Sequence, residues 1–182
     1  NGDGNLSFGE VEVAHPDSAE FMGSPFPDKE FSLSGDLRLW GVQFSTLLDY
    51  KGGYRLLNMS RAWRNTFEAN SDAAYDPGSL EKQAGQIALW DANSYAGYIE
   101  DASFIKLREV AVTFGLPSTL VDRAGLAGLS LTLAGRNLIT WTDYKGYDPE
   151  VNSYGGDATM RGFDLGTYPR SRVLNVGLDV TF

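Results

Sequence analysis

The segment Asn1-Gly2-Asp3-Gly4-Asn5-Leu6-Ser7-Phe8-Gly9-Glu10 places oxygen donors at the spacing of an EF-hand-type calcium loop, read from that loop's third position onward. Asn1 and Asp3 would supply side-chain oxygens, Asn5 a carbonyl, Glu10 a bidentate carboxylate and Gly4 the sharp turn. Calcium takes roughly six to eight hard oxygens, and the first ligand of the pattern would precede Asn1, so the sequence offers a partial Ca2+ site. The same residues also read as an Asx-rich turn that holds no metal.

Other chemistry is sparse. Asp148, Glu150 and Asn152 bring carboxylates close together, but acid–base work needs a pocket and a shifted pKa, and the surrounding residues point to neither; this stretch reads as one that orders a loop. His15 is the only histidine, which excludes a His-based metal site or a conventional catalytic triad within the chain, and it reads as a solvated loop residue. Gly155-Gly156 and Gly166 lack the helix-opening context of a phosphate cradle. With no nucleophile–base arrangement, the chain does not read as an enzyme. The net charge of −9 and pI near 4.5 argue against a nucleic-acid partner, which asks for clustered Lys and Arg. There is no cysteine, hence no disulfide framework.

The elements that would carry these residues are set by period-2 alternation. From Arg172 to Phe182, Leu174, Val176, Leu178, Val180 and Phe182 share one face, against Val173, Asn175, Gly177, Asp179 and Thr181. Leu129–Asn137, Phe31–Leu39 and Val42–Tyr50 repeat the split, and Trp40-Gly41 between the last two is a natural tight turn. Phe104–Phe114 is a fifth strand whose parity slips, since Ile105 and Leu107 are out of phase with Val110, Val112 and Phe114; a β-bulge near Arg108-Glu109 reconciles the halves.

Connections alternate in length. Trp40-Gly41 and Gly115–Gly128 are short, the latter with Pro117-Ser118-Thr119-Leu120 opening a helical turn, whereas Asn1 to about Glu30, Gly52 to about Ala102 and Ile139 to about Arg170 are long. Short turns on one side and long polar loops on the other are the pattern of a transmembrane β-barrel, with the C-terminus on the periplasmic side and the polar strand faces lining the lumen. No run approaches the 18 or so apolar residues of a membrane helix, and a mean hydropathy of −0.25 hides barrel strands of about 9–11 residues. The fold class expected is therefore all-β: about five C-terminal antiparallel strands of a larger barrel, with residues 1–182 as its closing part and the remaining strands upstream. The alternative is a soluble or surface-anchored β-sandwich that binds carbohydrate through loop aromatics, which would bury one face of each strand against a second sheet.

Four motifs then resemble one family. Ile99-Glu100-Asp101-Ala102-Ser103-Phe104-Ile105-Lys106-Leu107-Arg108-Glu109-Val110, Gly135-Arg136-Asn137-Leu138, Gly146-Tyr147-Asp148-Pro149-Glu150-Val151-Asn152 and Gly166-Thr167-Tyr168-Pro169-Arg170-Ser171-Arg172 stand in the order and spacing of the end of SusC/RagA-type TonB-linked outer-membrane proteins. The resemblance implies a 22-stranded barrel in the cell outer membrane of a Gram-negative, Bacteroidetes-like cell, with an N-terminal plug, absent from this chain, that couples to the TonB complex. It also implies a SusD-like surface lipoprotein as lid, and uptake of oligosaccharides or peptides.

On that reading Asp36, Arg38, Asp49, Arg136, Asn175 and Asp179 face the lumen, toward plug or solute, or else bond to one another and stiffen the wall. Trp40, Tyr50, Tyr54, Trp141 and Tyr144 fall near strand ends, as interfacial girdles do, in contact with outer-membrane lipid. Trp63, Trp90 and Tyr95 lie in the long middle loop, where they would stack on a substrate ring or pack within the loop. Phe182, closing the alternating last strand, is the expected signal to the barrel assembly machinery.

Overall fold

The computed structural model describes residues 6–12, 20–67, 80–157 and 159–182. They sort into two compact units, one a sheet of Lys29–Gly52, Phe104–Thr142 and Arg170–Phe182, the other a loop unit of Asn1–Asp28, Gly53–Ser103 and Asp143–Pro169.

The sheet unit holds the five expected strands, β1 (Lys29–Leu39), β2 (Val42–Gly52), β5 (Phe104–Gly115), β6 (Gly128–Thr142) and β8 (Val173–Thr181). They pair antiparallel in the order β1-β2-β5-β6-β8. Because side chains alternate across a strand, the register stacks like on like. One row is Leu37, Phe44, Val112, Leu133 and Val176; the next is Leu39, Val42, Phe114, Leu131 and Leu178; a third, beyond the bulge, is Phe31, Tyr50, Ile105 and Trp141. The intervening rows are polar or small, such as Asp36, Ser45, Ala111, Ala134 and Asn175.

The expected bulge sits at Arg108: Leu107 and Glu109 pair with the consecutive residues Leu48 and Leu47, so Arg108 has no opposite number on β2. Across the other edge, Leu107 faces Ile139 while Glu109 faces Arg136, and Asn137 in between adopts φ 51°. That irregularity corrects one boundary. Alternation ends the strand near Asn137, whereas β6 runs on to Thr142, because the bulge resets the phase and hides Ile139 and Trp141 as strand residues.

At the β1–β2 hairpin both central residues are left-handed, Trp40 at φ 49° and Gly41 at φ 81°, the type I′ geometry that matches strand twist. Between β5 and β6, Pro117 opens a short helix, Ser118–Val121, by accepting from the amides of Leu120 and Val121, and Gly125 at φ 72° ends the following 3-10 turn.

The apolar rows are uncovered: Leu174 is 81%, Val176 75%, Leu33 67% and Phe31 65% exposed. Each side chain of this size gains about 1.5–3 kcal/mol on leaving water. A handful of them already matches the 5–15 kcal/mol or so that holds a typical domain folded. A β-sandwich would bury this face, and nothing among the described residues does.

The loop unit corrects the expectation of plain polar loops. It contains β3 (Arg55–Asn58), helices α1 (Met59–Phe67) and α2 (Leu80–Ala92), β4 (Ile99–Asp101) and β7 (Phe163–Asp164), with β3 flanked antiparallel by β4 and parallel by β7. Its apolar centre is Met59, Ala62, Leu89 and Tyr98, against which Leu57, Tyr95, Phe163 and Leu165 pack. Asn58 starts α1 by accepting the Arg61 amide at 2.9 Å, an N-cap bond. No helix of the described residues is long and apolar enough to cross a membrane.

Candidate functional site

Two sets of polar side chains are organised well enough to act. The first is the polar face of the sheet, where cross-strand neighbours meet through the register. Arg38 Nη2 donates to Gln43 Oε1 at 2.7 Å, Ser45 Oγ to Asp36 Oδ1 at 2.7 Å, and Ser32 Oγ to Asp49 Oδ1 at 2.8 Å. The bulged Arg108 donates through Nε to Asp49 Oδ2 at 2.7 Å, with both side chains mostly covered, and its guanidinium lies 5.8 Å from the Phe104 ring centroid. Arg136 Nε donates to Glu109 Oε2 at 2.7 Å, Thr113 and Thr132 share a hydrogen bond of 2.9 Å, and Ser130 Oγ reaches Asp179 Oδ2 only at 3.5 Å. Asn175 stands on the same face opposite Ala134. Asp36, Arg38, Asp49, Arg136, Asn175 and Asp179 thus share one face, and five of the six make a cross-strand contact on it. Sequence reasoning missed Arg108 as Asp49's partner, although the parity slip marked its position.

The second set is in the loop unit. Glu100 gathers three donors: Arg61 Nη1 at 2.5 Å, the Lys145 amide at 2.9 Å and, more distantly, Asn58 Nδ2 at 3.4 Å. Asp164, 1% exposed, accepts Tyr144 Oη at 2.7 Å and Thr167 Oγ1 at 2.5 Å. Tyr54 Oη donates to the carbonyl of Pro149 at 2.8 Å. Burial, followed by the charges of Glu150 and Asp148, pushes the Tyr54 hydroxyl pKa well above its ordinary value. Burial first and the Asp164 hydrogen bond second do the same for Tyr144. Tyr54 and Tyr144 are therefore not girdle residues: their rings are buried and their hydroxyls tie the loop unit together.

Beside Glu100 opens a cavity of about 320 Å3, lined by Arg61, Tyr98, Glu100, Asp101, Asp143 and Lys145 among others. Its wall is built: Arg61 lies 5.5 Å from the Tyr98 ring centroid, and Asn65 Nδ2 donates to Tyr98 Oη at 3.1 Å. Neither Glu100 nor Tyr98 stood out as a functional candidate; Glu100 lay within a family-like motif, the one signal available.

The remaining sequence-derived candidates are scattered. Glu10 Oε2 accepts from both Ser7 N at 2.9 Å and Ser7 Oγ at 2.8 Å, while Asn1, Asp3, Asn5 and His15 lie outside the described residues. Among the described residues no group of three or more His, Cys, Asp or Glu is placed to hold a metal ion. Trp63 is half exposed on α1, Tyr95 packs on the apolar centre, and the Trp90 side chain is outside the described set. Asp148 is buried and accepts the Glu150 amide at 2.9 Å, a turn bond within its own loop. Phe182 is 93% exposed after β8.

The chain is 30% identical over 189 aligned residues to TonB-dependent receptor P3 of Formosa agariphila, covering 99% of this chain and 18% of that protein. It is 28% identical to TonB-dependent receptor P26 of the same organism, covering all of this chain and 19% of that protein. It therefore spans about a fifth of the length of the curated relatives it matches. Among solved structures, the RagAB peptide importer in its closed-closed state superposes with a TM-score of 0.65 at 22% identity, covering 88% of this chain and 18% of that chain. The RagAB peptide transporter gives 0.63 at the same identity and coverage. No family model matches. The likeness to TonB-dependent receptors runs over essentially the whole chain, and the fold is that of an all-β barrel segment like the one in the RagAB structures.

Proposed function

We propose, taking the likeness to TonB-dependent receptors as premise, that this chain closes the transmembrane barrel of an outer-membrane nutrient importer. One observation carries the reading: a five-stranded antiparallel sheet with one continuous apolar face open to its surroundings and a hydrogen-bonded polar face opposite. Lipid takes the first face and the lumen the second. Among the described residues the sheet's two outer strands, β1 and β8, each pair on one side only, and further strands of the whole protein complete the ring, because a bilayer tolerates no open edge. The Trp40-Gly41 and Gly115–Gly128 turns and the C-terminus lie on the periplasmic side, and the long connections face outward. Phe182 on the alternating last strand is the signal to the barrel assembly machinery.

In the whole protein a plug draws on TonB, a SusD-like lipoprotein covers the mouth, and oligosaccharides or peptides pass. Asp36, Arg38, Asp49, Arg136, Asn175 and Asp179 form a stiff polar wall against which plug or solute moves. The Asn1–Glu10 segment holds Ca2+ only if upstream residues complete it. No step of chemical conversion is needed for any of these roles.

Fractionation of cells expressing the full-length protein, with uptake of labelled oligosaccharides and short peptides measured with and without an intact TonB system, tests the proposal. Outer-membrane recovery and TonB-dependent uptake of one solute class support it. Recovery in the soluble fraction without detergent overturns it.

A further inference from the structure

We infer that the cavity beside Glu100 is a subsite for a short peptide with free termini, an inference that rests on the import reading and names its solute class. Its volume of about 320 Å3 sits at the lower end of the roughly 300–1,000 Å3 typical of small-ligand sites. The inner wall is held without a ligand: Arg61 and Glu100 are spent on each other at 2.5 Å, and Glu100 also takes the Lys145 amide. Such a wall is preorganised, so a ligand meets it at little ordering cost.

The rim is different. Asp143 and Lys145 are exposed, two positions apart and opposite in charge, yet neither side chain has a partner among the described residues. Asp101, whose Oδ1 accepts the Ser103 amide at 2.7 Å, also lines the opening. Two carboxylates and one ammonium on a rim match a zwitterion, with its amino end toward Asp143 and Asp101 and its carboxylate toward Lys145.

Gly85 and Gly97 also line the cavity, and a Cβ on Gly97 would come within 3.2 Å of Gly85 Cα, so their backbones pack closely against each other in the wall. A sugar is the poorer fit. Carbohydrate sites present an aromatic face, and the Tyr98 ring is 2% exposed with Arg61 over it.

The test is calorimetric titration of the purified full-length receptor with dialanine, N-acetyl-dialanine and dialanine amide. Blocking either terminus weakens binding about tenfold, the worth of one charge-assisted contact at a half-open site. Asp143→Asn reduces the penalty for acetylation and leaves that for amidation, whereas Lys145→Gln removes the penalty for amidation and leaves that for acetylation. Unchanged heat-modifiable migration of both variants on gels verifies folding, and the capped ligands test the unmodified receptor independently of either variant. Absence of dialanine binding, or affinities indifferent to both caps, overturns the subsite. If uptake in cells is TonB-dependent while the caps make no difference, only the subsite falls; if the cap pattern holds but uptake ignores TonB, the import reading falls and the subsite stands.

Discussion

In the sheet unit the polar residues of one face hold cross-strand neighbours while apolar side chains of the other are exposed, Leu174 and Val176 among the most, and burial is confined to a few positions such as Phe104 and Lys106 at the start of β5. In the loop unit the arrangement is the reverse: Met59, Ala62 and Leu89 are buried, and so are Asn58 and Asp164, each with hydrogen-bond partners. The sheet is built for two surroundings, one apolar and one wet, so a period of two residues specifies it. The loop unit is built for water on the outside alone and is specified by particular donors and acceptors, whose loss inside costs more than their presence gains.

Four substitutions in the full-length protein separate the two kinds of construction. Val176→Arg puts a charge on the apolar face and costs about 2–4 kcal/mol if that face lies near the bilayer midplane. The folded, heat-modifiable band on gels then diminishes while purified, folded material keeps loop-unit protease resistance. Asp164→Ala acts on the other region: it orphans the buried Tyr144 and Thr167 hydroxyls, at about 1–3 kcal/mol. Limited proteolysis should cut the loop unit of this variant while the barrel band persists. Gly41→Ala meets no clash, since its added Cβ would lie 3.8 Å from the Gly115 carbonyl oxygen, so its cost is the left-handed φ alone, about 1–2 kcal/mol. Unfolding in urea reads this as a lowered midpoint without altered proteolysis of the loops. Arg136→Ala breaks an ion pair whose side chains are 59% and 33% exposed, and solvent screening holds the loss to about 0–1 kcal/mol by the same unfolding measurement. A larger loss would make Arg136 a structural post rather than one member of a wall.

The sheet was legible because alternation is a local signal. Leu174, Val176, Leu178 and Val180 announce β8 without reference to any other strand, and even the Arg108 bulge shows as a slip of phase. Where the register shifts, between the Leu107–Ile139 and Glu109–Arg136 pairs, alternation breaks and hides the last five residues of β6, up to Thr142. The loop unit was illegible for the opposite reason. Its strands β3, β4 and β7 are two to four residues long, too short for a period, and β3 and β7 meet in parallel across a separation of about a hundred residues. Glu100 carries no mark of the partners it takes from positions 58, 61 and 145, nor Tyr54 and Tyr144 of their burial; aromatic side chains near strand ends look alike whether they sit at a membrane surface or inside a loop. The cavity rim shares that character, since Asp143 and Lys145 gain meaning only once Glu100 has brought them beside α1.

The central claim is that the two faces of the sheet meet different surroundings. The chain has no cysteine, so in a full-length receptor cleared of any others a spin label can be placed singly at each position from 174 to 179. In lipid vesicles, accessibility to oxygen should peak at 174, 176 and 178 and accessibility to a water-soluble nickel chelate at 175, 177 and 179. Equal exposure to the chelate at all six positions would contradict the account.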